Sequence, residues 1–198
     1  FNIADRYRIL TMIMGDGILG QMMEPVEFRD EERIEKPKKD WAVTGTNLER
    51  DHNVITSIYI EPEVLEQLNL KLQKKYEEIR KNEVRYQAVN CEDAQIIVAA
   101  HGTVSRIIQN VIKMAGQEGI KVGLIRPVTL WPFPEEPFIK YAETAEAFLT
   151  VELSAGQMVE DVRLAVNGRK PVYFYGRMGG MIPTEQEILD KIKSIFAG

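Results

Sequence analysis

Two short apolar runs enclosing one amphipathic stripe limit what this chain can become more than any other feature. Ala94-Gln95-Ile96-Ile97-Val98-Ala99-Ala100 and Val122-Gly123-Leu124-Ile125 read as strands buried on both faces. Between them Val104, Ile107, Ile108, Val111, Ile112 and Ala115 recur at steps of three and four, one side of a 3.6-residue helix. Gly116 and Gly119 stop that helix where the chain must turn. The unit spanning His101 to Pro134 therefore predicts a right-handed strand–helix–strand crossover, and with it a parallel sheet.

The pattern repeats downstream. Trp131-Pro132-Phe133-Pro134 is stiff, because each proline fixes its own φ and biases its predecessor toward extended backbone. A short helix is expected from Glu135 to about Thr144, then a strand over Ala147–Leu153. Ser154-Ala155-Gly156 turns the chain into a helix with Met158, Val159, Val162, Ala165 and Val166 on one face, ended by Gly168. Val172–Tyr175 is a further strand, closed by Gly176-Arg177-Met178-Gly179-Gly180. Thr184 followed by Glu187 is a capping box ahead of Ile188, Leu189, Ile192 and Ile195. Residues 84–198 thus read βαβαβαβα, an α/β fold with a mostly parallel sheet flanked by helices on both faces.

Upstream the reading changes. Phe1–Arg8 resembles the last turns of an amphipathic helix, and Ile9–Met14 is apolar enough for a buried strand closed by Gly15-Asp16-Gly17. These are expected to be the tail of an upstream α/β domain, residues 1–23, in a longer polypeptide. Met12, Met14, Met22 and Met23 read as gap-filling core or as an interface with that domain. Residues 24–60 form a linker or surface crossing, dense in charge from Glu27 to Asp40 and broken by Pro25 and Pro37. Trp41, Val43 and the Thr44–Asn47 turn are expected to anchor its far end. A helix follows Glu61-Pro62, with Leu65, Leu68, Leu72, Tyr76 and Ile79 on one stripe that should lie on the core of a domain covering 61–198, a partner-docking helix being the alternative.

Composition removes whole classes of function. A net charge of −5 argues against a broad nucleic-acid surface. No apolar stretch approaches the roughly 20 residues of a membrane span. The lone Cys91 excludes an internal disulfide or a cysteine-built metal cluster from this chain alone. A cytoplasmic location fits.

Ligands of such sheets meet the loops at the carboxyl ends of strands. Here those loops hold Gly102, Thr103, Ser105 and Arg106, then Gly156, then Arg177, Gly179 and Gly180. Amides at a helix start attract anions, and glycine lets a phosphate or carboxylate approach closely, so these are candidate anion or interface loops. The plainer alternative is that the glycines only permit tight turns. No Rossmann fingerprint, Walker A sequence or nucleophile elbow occurs. His101 lies near Ser105, yet nothing in the spacing designates an orienting carboxylate, so no catalytic residue is assigned. His52 is expected in solvent, and no metal ligand set stands out.

Several joined motifs, in order, resemble the alpha subunit of 2-oxoacid:ferredoxin oxidoreductases. They are Ala4-Asp5-Arg6-Tyr7 with Gly15-Asp16, His101–Arg106, Gly119–Pro127, Leu130–Pro134, Gly156–Val162 and Gly176–Gly180. Branched-chain (2-oxoisovalerate) alpha subunits look nearest, and the 2-oxoglutarate type next. The resemblance implies the end of a pyrimidine-binding domain followed by a transketolase C-terminal-like domain. It also implies a holoenzyme that decarboxylates a 2-oxoacid on thiamine diphosphate with Mg, passes electrons through iron–sulfur clusters to ferredoxin, and forms an acyl-CoA. Beta and gamma subunits, and in some complexes a ferredoxin-like delta subunit, would be the partners. Those groups are implied to bind elsewhere, leaving this part to packing and assembly, inactive by itself. Two alternatives stand: a nucleotide- or CoA-binding α/β module, and the equivalent domain of a transketolase or dehydrogenase E1 component.

Overall fold

The computed structural model describes residues 1–27 and 38–196, so the densest part of the charged crossing, Arg29 to Pro37, lies outside the described residues. Contacts divide the chain into two units: Phe1–Met14 with Met23–Asn82, and Gly15–Met22 with Glu83–Gly198.

The first unit contains helix α1, Asn2–Tyr7, and helix α2, Pro62–Asn82. Arg8 ends α1 in the left-handed region at φ 46°. Its guanidinium stacks over the Trp41 ring at 4.6 Å, and its carbonyl accepts a hydrogen bond from Lys75 Nζ at 3.1 Å. The Trp41 anchor expected from the sequence is thereby accounted for. Asn53 donates to the carbonyls of Asp40 and Ala42, and Arg50 to those of Ala42 and Gly45, which fixes the turns around residue 45. His52 is exposed, as expected.

Two expectations fail in this unit. Ile9–Met14 forms no strand, and Leu10, Met12, Ile13 and Met14 are largely exposed. A strand needs a neighbour to take its N–H and C=O groups, and none of the described residues offers that pairing. The four methionines are correspondingly not core, with Met23 99% exposed. The α2 stripe is likewise only partly covered: Ile79 is buried, Leu68, Leu72 and Tyr76 are half-buried, and Leu65 is exposed.

The second unit is a five-stranded sheet in the order β1-β3-β2-β4-β5. Its strands are β1 Tyr86–Val89, β2 Ile96–Ala99, β3 Val122–Pro127, β4 Ala147–Glu152 and β5 Val172–Gly176. Strands β2 to β5 are parallel, with Val98 opposite both Leu124 and Leu149, and Thr150 opposite Phe174. Strand β1 was not expected. It pairs antiparallel with β3, Tyr86 opposite Pro127.

Alternation along the strands sorts the core into two layers. Ile96, Val98, Leu124, Leu149 and Val151 pack against α3 (Gly102–Gln117) and α6 (Glu185–Phe196) through Val104, Ile108, Val111, Ile188 and Ile192. Ile97, Ala99, Ile125 and Phe148 face the other way. They meet α4 (Glu135–Tyr141) and α5 (Met158–Val166) through Phe138, Met158 and Val162. Phe138 stacks on Phe133 with ring centroids 5.4 Å apart and tilts against Phe148 at 5.9 Å. The Trp131–Pro132 peptide leading into α4 is cis.

Candidate functional site

Strands β2, β3, β4 and β5 run the same way, so the loops that follow them share one edge of the sheet. At the end of β2, Gly102 begins α3 at φ 56°, and the first turn carries Thr103, Ser105 and Arg106. Ser105 is buried and donates its hydroxyl to the Gly102 carbonyl at 2.7 Å, so it is held rather than poised as a nucleophile. Arg106 is exposed. His101 precedes the helix without a side-chain cap bond. The anion at this helix start comes from the chain itself: Asp16 Oδ2 accepts the Thr103 N–H at 3.2 Å. Burial alone would raise the Asp16 pKa, but the N–H groups of Leu19 and Thr103 outweigh it and hold the carboxyl below its ordinary value.

At the end of β4 stands Glu152, which the sequence reading did not single out. It is almost fully buried, and its carboxylate closes the amino end of α5. It accepts from the amides of Gln157 at 3.1 Å, Met158 at 3.1 Å and Val159 at 3.0 Å, and from the Ser154 hydroxyl at 3.0 Å. Ser154 Oγ in turn accepts the Gly156 N–H at 3.2 Å. The only sequence signal for this role is a carboxylate placed at a strand end before a Ser-Ala-Gly turn. Nearby Asp161 has its pKa raised, first by burial and then by the charges of Glu160 and Glu152.

At the end of β5 the Arg177 amide donates to the Glu152 carbonyl at 3.1 Å, and the Arg177 guanidinium pairs with Glu187. The expected capping box is present. Thr184 N donates to Glu187 Oε2 at 2.8 Å, and Glu187 N returns to Thr184 Oγ1 at 3.2 Å. Gly179 and Gly180 both have positive φ and lie exposed, with open space where a Cβ would stand. Gly156 and Arg177 are thus joined through Glu152. The first-turn residues of α3 lie at the adjacent strand end, and the two closing glycines stand apart.

Among the described residues no group of three or more His, Cys, Asp or Glu side chains is placed to hold a metal ion. Cys91 is buried, its thiol pushed up to about 11 by desolvation, which leaves it a poor nucleophile.

Residues 94–188 match the family described as pyruvate:ferredoxin oxidoreductase core domain II. In fold, the sheet unit is of the transketolase-like α/β class. It is similar to a split-gene transketolase in an inactive beta4 tetramer, with TM-score 0.50 and 18% identity over 57% of this chain and 41% of that one. A 2-oxoglutarate:ferredoxin oxidoreductase from Magnetococcus marinus, solved with 2-oxoglutarate, coenzyme A and succinyl-CoA bound, matches at TM-score 0.60 and 20% identity over 69% of this chain and 24% of that one. In sequence the chain is 41% identical to the ketoisovalerate oxidoreductase subunit VorB of Methanothermobacter thermautotrophicus, over 98% of its own length and 55% of that protein's. It is 30% identical to the 2-oxoglutarate synthase subunit KorA of Methanothermobacter marburgensis, over 97% and 58%. The chain belongs to the family of 2-oxoacid:ferredoxin oxidoreductase subunits. It spans about half the length of the curated relatives it matches.

Proposed function

We propose that this chain is the later part of an alpha-type subunit, in a complex that oxidatively decarboxylates a branched-chain 2-oxoacid to its acyl-CoA and reduces ferredoxin. Its own task is packing and subunit assembly, not bond making. One observation carries the reading: amides that would hold a substrate anion at the starts of α3 and α5 are engaged by Asp16 and Glu152. Identity to ketoisovalerate oxidoreductase subunits supports the branched-chain substrate class.

On this reading residues 1–23 close a pyrimidine-binding domain, 24–60 cross over, and 61–198 form the second domain, with its core at 84–198. The loops holding Gly102, Thr103, Ser105, Arg106, Gly156, Arg177, Gly179 and Gly180 face polypeptide, from the same subunit or from beta and gamma subunits. The holoenzyme would use thiamine diphosphate with Mg, iron–sulfur clusters and CoA. Among the described residues the single cysteine is buried, no cluster is placed to ligate a metal, and carboxylates of this chain accept amides at the starts of α3 and α5, which supports placing these groups elsewhere in the complex. No step of the reaction is therefore assigned to this chain. No helix among the described residues is long and apolar enough to cross a membrane, and a cytoplasmic complex is the setting we propose.

The full-length chain purified with its partner subunits should reduce a viologen dye in the presence of 2-oxoisovalerate and CoA. The present chain alone, given thiamine diphosphate and magnesium, should not. Turnover by the chain alone would overturn the assembly role. Calorimetry with CoA and with adenine nucleotides should show no binding to it, and micromolar binding would favour the nucleotide- or CoA-binding alternative instead.

A further inference from the structure

Gly15–Met22 is assigned by its contacts to the sheet unit, whereas the residues on both sides of it in sequence, Phe1–Met14 and Met23–Asn82, group with each other. Eight residues thus leave one unit, visit the other and return. Some interaction has to hold them there, because a short excursion of this kind costs backbone entropy at every residue fixed.

The hydrogen bonds within the segment are local. Gly20 donates to the Asp16 carbonyl, and Gln21 and Met22 donate to the Ile18 carbonyl, which makes the 3-10 turn Leu19–Gln21. Asp16 reaches out. Its Oδ1 accepts the Leu19 N–H at 2.8 Å, which sets the turn, while Oδ2 accepts the N–H of Thr103, 87 positions later, at 3.2 Å.

The receiving end lacks a cap of its own. His101 at the N-cap makes no side-chain cap bond, the first turn of α3 holds no acidic residue, and the Ser105 hydroxyl is turned to the Gly102 carbonyl instead of an amide. A helix start with open N–H groups and a partial positive charge is stabilised by an outside carboxylate. Gly102 makes the approach possible: at φ 56° a side chain there would be strained, and a Cβ would stand 3.2 Å from Asp16 Oδ2.

We propose that Asp16 is a positioning residue. Its carboxylate is the missing cap of α3, supplied from outside the helix; the Leu19 bond sets the turn of Gly15–Met22 and the Thr103 bond pins that turn to the start of α3. This inference does not depend on the reaction proposed above.

Hydrogen–deuterium exchange on the full-length chain, in its native assembly, tests the proposal. Asp16→Ala should speed exchange in peptides covering 15–22 and 102–106 by about three- to thirtyfold, the range expected from loss of one helix cap. Peptides from β2 and β4 should keep their wild-type rates. Asp16→Asn preserves shape and one acceptor oxygen, so it should fold normally and restore part of the protection in both peptides. Unchanged exchange in 15–22 and 102–106, or faster exchange spread through β2 and β4, would overturn it.

Discussion

Glu152 reaches forward along the chain to the amide of Val159, 3.0 Å from its Oε1, and closes a helix that begins six residues after its own strand position. A buried carboxylate survives there because every nearby partner is a donor: three amides and one hydroxyl. Glu152→Gln keeps the volume but turns a donor NH2 toward amides that need an acceptor. Destabilisation of about 2–3 kcal/mol is expected, in the range for losing charge-assisted hydrogen bonds. Urea unfolding followed by circular dichroism measures it, and a loss below about 0.5 kcal/mol would show that water replaces the carboxylate.

Gly176 ends β5 against the turn that Glu152 organises. A Cβ built there would lie 2.3 Å from the Ser154 carbonyl and 2.5 Å from Phe174 Cζ. Backbone has to move to admit even a methyl group, so Gly176→Ala should cost about 1–3 kcal/mol, as overpacking does. Gly179→Ala is the contrasting case: it has open space but positive φ, so only the smaller conformational cost of about 1 kcal/mol applies. Melting temperatures of the two variants should fall in that order.

Two carboxyls tie stability to acid. Asp16 and Glu187 both titrate below their ordinary values, Asp16 through the amides that outweigh its burial, Glu187 chiefly through the Thr184 amide with help from Arg177. The folded state therefore binds their protons less tightly than the unfolded chain. Their contribution is complete above the ordinary carboxylate pKa and is lost as pH falls through the lower folded values. Asp161 runs the other way. With its pKa raised, it lowers stability as pH rises past the ordinary value, so Asp161→Asn should raise the neutral-pH melting temperature and give no gain near pH 3. A gain that persists in acid would contradict the burial-driven shift.

Cys91 donates to the Leu124 carbonyl at 3.3 Å and is buried beneath the sheet edge. A thiol held at about 11 is almost entirely protonated at neutral pH. Ellman's reagent should leave the native thiol untouched over hours and modify it within minutes in 6 M guanidinium, about the concentration that unfolds even very stable domains. Rapid labelling of the native protein would mean that the Asn90–Cys91 turn opens readily.

The layered core was legible because its residues repeat at periods that only one partner geometry satisfies. Val104, Ile108, Val111 and Ala115 named the inner face of α3, and the Thr184–Glu187 pair gave the start of α6 almost to the residue. Strand β1 escaped notice because Tyr86-Gln87-Ala88-Val89 sits on an edge, mostly exposed, with neither a continuous apolar run nor clean alternation. Ile9–Met14 misled for the opposite reason: apolar composition records a wish for burial but does not say what will bury it. In the candidate site, the glycine and arginine positions fall in the loops that follow β2, β4 and β5. The carboxylates that fill the helix starts were invisible, since Asp16 acts on an amide 87 positions away and Glu152 reads as one more strand residue.

Strand β2 lies at the centre of the sheet, yet both of its neighbours come later in the chain: β3 begins at Val122 and β4 at Ala147. A nascent polypeptide leaving the ribosome therefore exposes the stickiest strand first and cannot shelter it on both sides until Glu152 has emerged. That ordering marks the interval between synthesis of Ile96 and of Glu152 as the period when a chaperone has most to cover.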